Sequence, residues 1–155
     1  MSDALKLFNT LHGILEFDLW DKHPNACTGS SSACSACCGG ATIDCEEAYE
    51  LWAKMDVNIY VDKLEDFRNL TDVERNMVVL RKPSVKLKGE AGIVVEHQAP
   101  NGKHFTLTDL VAAVVETERR TRLQSEWLDG IDAHHVYFEG VIPQKDGSWR
   151  ICWGS

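Results

Sequence analysis

Ala91-Gly92-Ile93-Val94-Val95-Glu96-His97, then Pro100-Asn101-Gly102, then Lys103-His104-Phe105-Thr106-Leu107, is the stretch on which the fold turns. Two strand-like runs on either side of a turn signal predict a β-hairpin. Thr108-Asp109 then predicts the cap of a long helix running to about Leu128 and stopped by Asp129-Gly130. Beyond it, His134 to Ile142 and Ser148 to Trp153 flank Lys145-Asp146-Gly147, which predicts a second hairpin. The order ββαββ predicts an α+β fold, an antiparallel sheet of two hairpins with the long helix packed on one face.

Working back toward the N-terminus, Thr71 and Glu74 form a capping-box pattern and predict a helix through Val79 or Leu80, before Pro83. Val57 to Val61 alternates and predicts a short strand. Asp44 with Glu47 resembles an N-cap, and the helix it predicts carries Ala48, Leu51, Trp52 and Met55 on one face. Leu5, Phe8, Leu11, Ile14 and Leu15 fall at helical spacing and predict a further helix over Asp3 to Phe17. These additional N-terminal helices complete the expected fold. Residues 1–155 are expected to form a single α+β domain, with a cysteine-rich loop inserted at about 25–45.

The chain has 155 residues, 44% hydrophobic and 26% charged, with a formal net charge of −8. That hydrophobic share belongs to a folded chain rather than a disordered one. The acidic balance repels phosphate backbones and anionic lipid, so the expected partners exclude nucleic acid and membrane and leave another protein or a second copy of the chain. The basic stretch Arg81 to Lys88 reads as an edge strand guarded by lysines. No apolar run approaches the ~20 residues that span a bilayer. The first residues lack the pattern of a secretory signal, so a cytoplasmic, reducing setting is expected.

In such a setting cysteines read first as thiols or metal ligands. Five of the six fall in one segment, Cys27, Cys34, Cys37, Cys38 and Cys45, and Cys152 stands apart. The segment is otherwise mostly Ser, Ala and Gly, which bury too little apolar area to order a loop unless something staples it. A soft metal ion such as zinc would supply that staple. It takes four ligands, and the CxxC from Cys34 to Cys37 lets two sulfurs converge on one ion. His23 is a candidate nitrogen ligand. The spacing departs from the zinc ribbon, which needs a second CxxC, and from the common iron–sulfur patterns. A disulfide or redox use, with a Cys45 thiolate favoured at a helix start, is an alternative. So is a passive, solvated loop.

Elsewhere, alternation places His135 and Glu139 on one strand face, opposite Val136 and Phe138. A His and a Glu so placed could carry acid–base chemistry, with Glu118 as a third member. Glu118 continues the helical stripe of Leu107, Val111 and Val114, which draws it toward burial, and Arg122 four residues on is its expected ion-pair partner. Phosphate-loop, dinucleotide-fingerprint, serine-hydrolase and zinc-protease motifs are absent. The residues therefore favour a non-enzymatic role, in which the cysteine loop holds a structural or regulatory zinc-like metal. A binding or interaction domain with a passive or disulfide-forming loop is the alternative. A small enzyme using His135, Glu139 and Glu118 on the sheet face is the third reading.

Overall fold

The computed structural model describes residues 2–21, 49–124 and 134–155. Its first element, α1 (Asp3–Asn9), starts where the Ser2 hydroxyl accepts a hydrogen bond from the Leu5 amide, and it buries Ala4, Leu5 and Phe8. The strands β1 (His12–Asp21), β2 (Tyr49–Val61) and β3 (Asp66–Asn69) follow, then the single turn α2 (Asp72–Arg75). Next come β4 (Val78–Leu80), β5 (Ser84–Lys88), β6 (Val94–Gln98) and β7 (Phe105–Thr106). The long helix α3 (Leu107–Thr121) runs into a 3-10 turn at Arg122–Gln124, and β8 (Tyr137–Pro143) and β9 (Trp149–Gly154) complete the order.

The result is a mixed α+β fold. Seven strands form one sheet in the order β3-β2-β1-β8-β9-β5-β6, and β4 and β7 make a small second sheet. Pairing is antiparallel for β2 with β3, β1 with β8, β8 with β9 and β5 with β6, and parallel for β5 with β9. Met1–Glu16 with Ala53–Ser155 make one compact unit and Phe17–Trp52 a second. The described residues of the second unit are the strand ends 17–21 and 49–52. The core and the site belong to the first.

Helix α3 covers the inner face of the sheet. It is capped by Thr106, whose hydroxyl accepts from the Asp109 amide while the Asp109 carboxylate accepts from the Thr106 amide, two residues ahead of the expected start. Its buried side chains are Leu107, Leu110, Ala113, Val114, Thr117, Glu118 and Thr121. Val85, Leu87, Phe138, Val141, Ile151 and Trp153 are buried on the strands. Phe138 meets Phe8 edge-on at 5.3 Å and Trp153 at 5.8 Å between ring centres, which ties α1 to β8 and β9. Between Phe138 and Val141 the β8–β9 register shifts, at Gly140 with φ +96°. Asn9 fills the irregularity, its side-chain oxygen accepting from the Val141 amide at 2.9 Å.

Several expectations need correction. The first helix ends at Asn9, and residues 12–17 are strand. Leu11, Ile14 and Leu15 fit a helical period, but Leu11, Gly13 and Leu15 also alternate with His12, Ile14 and Glu16. Gly13 weakens a helix by about 1 kcal/mol against alanine. In the strand it makes room: a Cβ there would lie 2.9 Å from Met55 Cγ and 3.1 Å from a Val57 methyl. The helix expected to carry Leu51, Trp52 and Met55 is likewise strand β2, which is long enough to absorb the predicted Val57–Val61 strand. The helix begun by the Thr71 capping box lasts only to Arg75, and Val78–Leu80 is strand.

The first predicted hairpin is also rearranged. β6 pairs with β5 and β7 pairs with β4, so the runs on either side of Pro100 diverge instead of pairing. The ββαββ arrangement of two hairpins is therefore not the one adopted, although β8 and β9 do form the second hairpin. For the same reason Ser84–Lys88 is not an edge: it lies between β9 and β6. The start of the predicted helix at Asp44 and the end of the long helix near Leu128 lie outside the described residues.

Candidate functional site

The outer face of the sheet carries a cleft that sequence reasoning missed. Along β1, His12, Ile14 and Glu16 point outward while Leu11 and Leu15 are buried. Along β2, Met55 is buried and Asp56 is exposed, and alternation carries Asn58 and Tyr60 to the side of Asp56. β3 brings Phe67 opposite Tyr60, and β8 brings Tyr137 opposite Ile14. These strands line a cleft of about 370 Å³ bounded by His12, Ile14, Glu16, Asp56, Asn58, Phe67 and Tyr137, with Gly13 and Phe138 at its floor.

Its walls are aromatic and its polar groups are mainly acceptors. Phe67 meets His12 and Tyr60 edge-on, each at 5.2 Å between ring centres. Ile14, Phe67 and Tyr137 are 51%, 49% and 49% exposed, far more open than large apolar side chains on the inner face. Glu16 meets Lys54 at 3.3 Å in a solvent-exposed pair. Asn58 Oδ1 is buried and has no hydrogen-bond partner. Buried polar atoms are normally satisfied, so an orphan oxygen on a cleft-lining residue is an exception that calls for an account.

The residues expected to form a catalytic group are divided between two faces. Glu118 lies fully buried under the sheet, and both its oxygens are occupied. Oε2 accepts from Arg122 Nε at 2.6 Å, and Oε1 accepts from the Trp153 indole at 2.8 Å and the Glu90 amide at 3.0 Å. Arg122, equally buried, donates to the His135 carbonyl at 2.5 Å and lies 5.3 Å from the centre of the Trp153 ring. The expected Glu118–Arg122 pair is thus present as a closed structural knot. It touches His135 through backbone, while the His135 ring lies 3.6 Å from a Glu90 carboxylate oxygen. Glu139 is exposed on the opposite face and packs against Gly154, where a Cβ would collide with its carboxylate. The three side chains therefore do not share a cavity.

A second polar pair lies at the far side of α3. His97 Nε2 and Thr117 Oγ1 are 2.7 Å apart, and the Thr117 hydroxyl proton is committed to the Ala113 carbonyl at 2.8 Å. His97 Nε2 must then be the donor, which fixes the tautomer of the neutral ring. Burial, and then the nearby Arg120 charge, push the His97 pKa below its ordinary value. Glu116 is held at about 2 by hydrogen bonds from Arg119 and Arg120. Glu74 is held at about 2 by Arg68 and by the Thr71 amide of its capping box. His104 is engaged separately, with Asn101 at 2.9 Å, so the two histidines flanking the Pro100 turn do not meet.

The expected metal ligands Cys27, Cys34, Cys37, Cys38 and Cys45, with His23, lie outside the described residues. Among the described residues no group of three or more His, Cys, Asp or Glu side chains is arranged to hold a metal ion. Also among them, no helix is long and apolar enough to cross a membrane. The cleft had one legible signal, the alternation through Met55-Asp56-Val57-Asn58-Ile59-Tyr60-Val61, which a helical reading of the preceding residues cut short. Compared with models of protein families, with curated proteins and with solved structures, the chain matches none of them.

Proposed function

We propose that this chain is a binding protein that takes a small ligand or a partner's side chain in the cleft on the outer face of its sheet. The observation that carries this reading is the buried, unpartnered Asn58 Oδ1 in the wall of a cleft rimmed by half-exposed aromatic and aliphatic side chains. A volume of about 370 Å³ falls within the range of small-molecule sites, roughly 300–1,000 Å³. A non-catalytic role suits the acid groups: Glu118 is locked by three donors, and among the described residues Asp56 forms no ion pair. The acidic balance of the chain favours a ligand other than nucleic acid or an anionic membrane surface.

The test is a fragment screen read by two-dimensional amide NMR. Shift changes gathered on Ile14, Asp56, Asn58, Phe67 and Tyr137 support the reading. Changes gathered elsewhere, with these residues silent, remove it.

A second reading concerns the cysteine-rich segment and rests on a different observation, five thiols within Cys27–Cys45. In it, four of the five hold a zinc-like ion in a structural or regulatory role, and the segment gains its order from the metal. Thiolate ligation of this kind belongs to a reducing compartment such as the cytoplasm. Elemental analysis of tag-free protein, with a count of reactive thiols, decides it. Bound metal at one equivalent supports it, and metal-free protein in which all six thiols react overturns it.

A further inference from the structure

We infer that the occupant of the outer-face cleft is a protonated amine carried on an apolar body. This deepens the binding role proposed above and rests on it.

Asn58 Oδ1 needs a hydrogen-bond donor, and an apolar occupant would leave it as unsatisfied as it is now. Asp56, two residues away on the same face of β2, places a carboxylate beside it, and no ion pair to Asp56 forms among the described residues. Glu16 adds a second carboxylate at the other end of the cleft, partly offset by Lys54. An anion would meet both carboxylates and an acceptor oxygen, with only the His12 ring and a salt-bridged lysine in its favour.

A bare metal ion is a poor fit as well. His12, Glu16 and Asp56 line the cleft, but no group of three or more His, Cys, Asp or Glu is arranged to hold a metal ion among the described residues. Hard cations want six or more oxygens, and soft ones want Cys or His in sets of three or four.

An alkylammonium group satisfies every feature at once. Its N–H donors pair with the Asp56 carboxylate and supply the donor Asn58 Oδ1 lacks once that amide turns toward the cleft, and its charge is favoured over the faces of Phe67 and Tyr137. Its carbon body packs on Ile14 and the same rings, whose exposure is otherwise unexplained. The net charge of −8 draws such a cation toward the chain. A free aralkylamine and a lysine side chain of a partner both present this chemistry.

The experiment uses the full chain in three NMR titrations, with 2-phenylethylammonium, with its neutral counterpart 2-phenylethanol, and with N-acetyl-lysine amide. The expected result is that an ammonium probe shifts the resonances of Ile14, Asp56, Asn58 and Phe67, and that 2-phenylethanol does so far more weakly. Tighter binding of 2-phenylethylammonium assigns the site to a free amine, and tighter binding of the lysine derivative assigns it to a lysine side chain. Asp56→Asn, an exposed position whose change spares the core, should weaken the ammonium probe roughly tenfold, the value of a charge-assisted hydrogen bond. Equal binding of 2-phenylethanol, or an unchanged affinity in Asp56→Asn, overturns the amine assignment and leaves the cleft as a binding site. Silence of the cleft toward all three probes overturns both.

Discussion

Glu118 on the inner face of the sheet and Asn58 on the outer face each carry a buried side-chain oxygen, and the two are treated in opposite ways. Glu118 has each oxygen taken, by Arg122, by Trp153 and by the Glu90 amide. Asn58 Oδ1 has no partner at all. On the inner side large apolar residues such as Phe8, Leu87 and Leu110 are sealed, whereas on the outer side Ile14, Phe67 and Tyr137 stand half open. A buried charge with a full set of partners is a structural commitment, because any gap in the set is costly. An orphan acceptor beside open rings is the reverse: it costs stability in the free protein and returns it when a donor arrives. The contrast teaches where to look for function. Chemistry-bearing residue types on the inner face hold the fold, and plainer residues on the outer face offer the site.

The largest effect should come from breaking the inner face. Glu118→Leu leaves Arg122 buried without its counter-charge and should destabilise the fold by about 3–5 kcal/mol, measured by urea unfolding. The double change Glu118→Leu with Arg122→Met should recover most of that loss, and failure to recover would show that the carboxylate matters beyond the pair. A smaller loss, about 1–3 kcal/mol, is expected for Gly140→Ala. A side chain there must adopt φ +96° and its Cβ would stand 2.8 Å from Asn9 Oδ1. An unaltered melting temperature would contradict the account of the bulge.

A pH dependence follows from His97. Its folded pKa lies below the ordinary value, so between that ordinary value and the lowered one the unfolded chain binds a proton that the native chain refuses. This contribution is therefore complete above about pH 6.5 and is lost as pH falls through the lowered pKa. Thermal melts between pH 7 and pH 5 should show a falling midpoint, and His97→Gln should flatten that part of the curve. The loss tied to Glu74 and Glu116 begins at lower pH, from their ordinary value of 4.5 down toward about 2. The smallest effect on stability belongs to the outer face. Phe67→Ala should change unfolding free energy by no more than about 0.5 kcal/mol while abolishing fragment binding in the cleft. A large loss of stability from this change would make the outer face part of the core and erase the contrast.

The legible part of the fold was the part with local signals. Thr71 with Glu74 marked a true helix start, the stripe through Leu107 and Val114 delivered Glu118 to the interior, and Lys145-Asp146-Gly147 marked the β8–β9 turn. What failed was governed by distant partners. Leu11, Ile14 and Leu15 suit either period, and only packing against β2 and β8 selects the strand. Phe105–Thr106 is strand because β4 is beside it, which no nearby residue announces. The cleft was illegible for the same reason. Its residues come from β1, β2, β3 and β8, and none is a chemically conspicuous type except His12 and the carboxylates.

The order of strands also bears on how the protein is made. Ile14 in β1 pairs with Tyr137 in β8, and Leu87 in β5 pairs with Trp149 in β9. The strands that join β3-β2-β1 to β5-β6 are thus synthesised long after both of those groups. Until residues 137–154 leave the ribosome, β1 and β5 each wait with a row of unpaired amides and carbonyls. Long-range pairing of this kind slows folding and prolongs exposure to wrong partners. The nascent chain therefore depends, for the whole interval between making Ser84–Lys88 and making Trp149–Gly154, on whatever in the cell keeps open sheet edges apart.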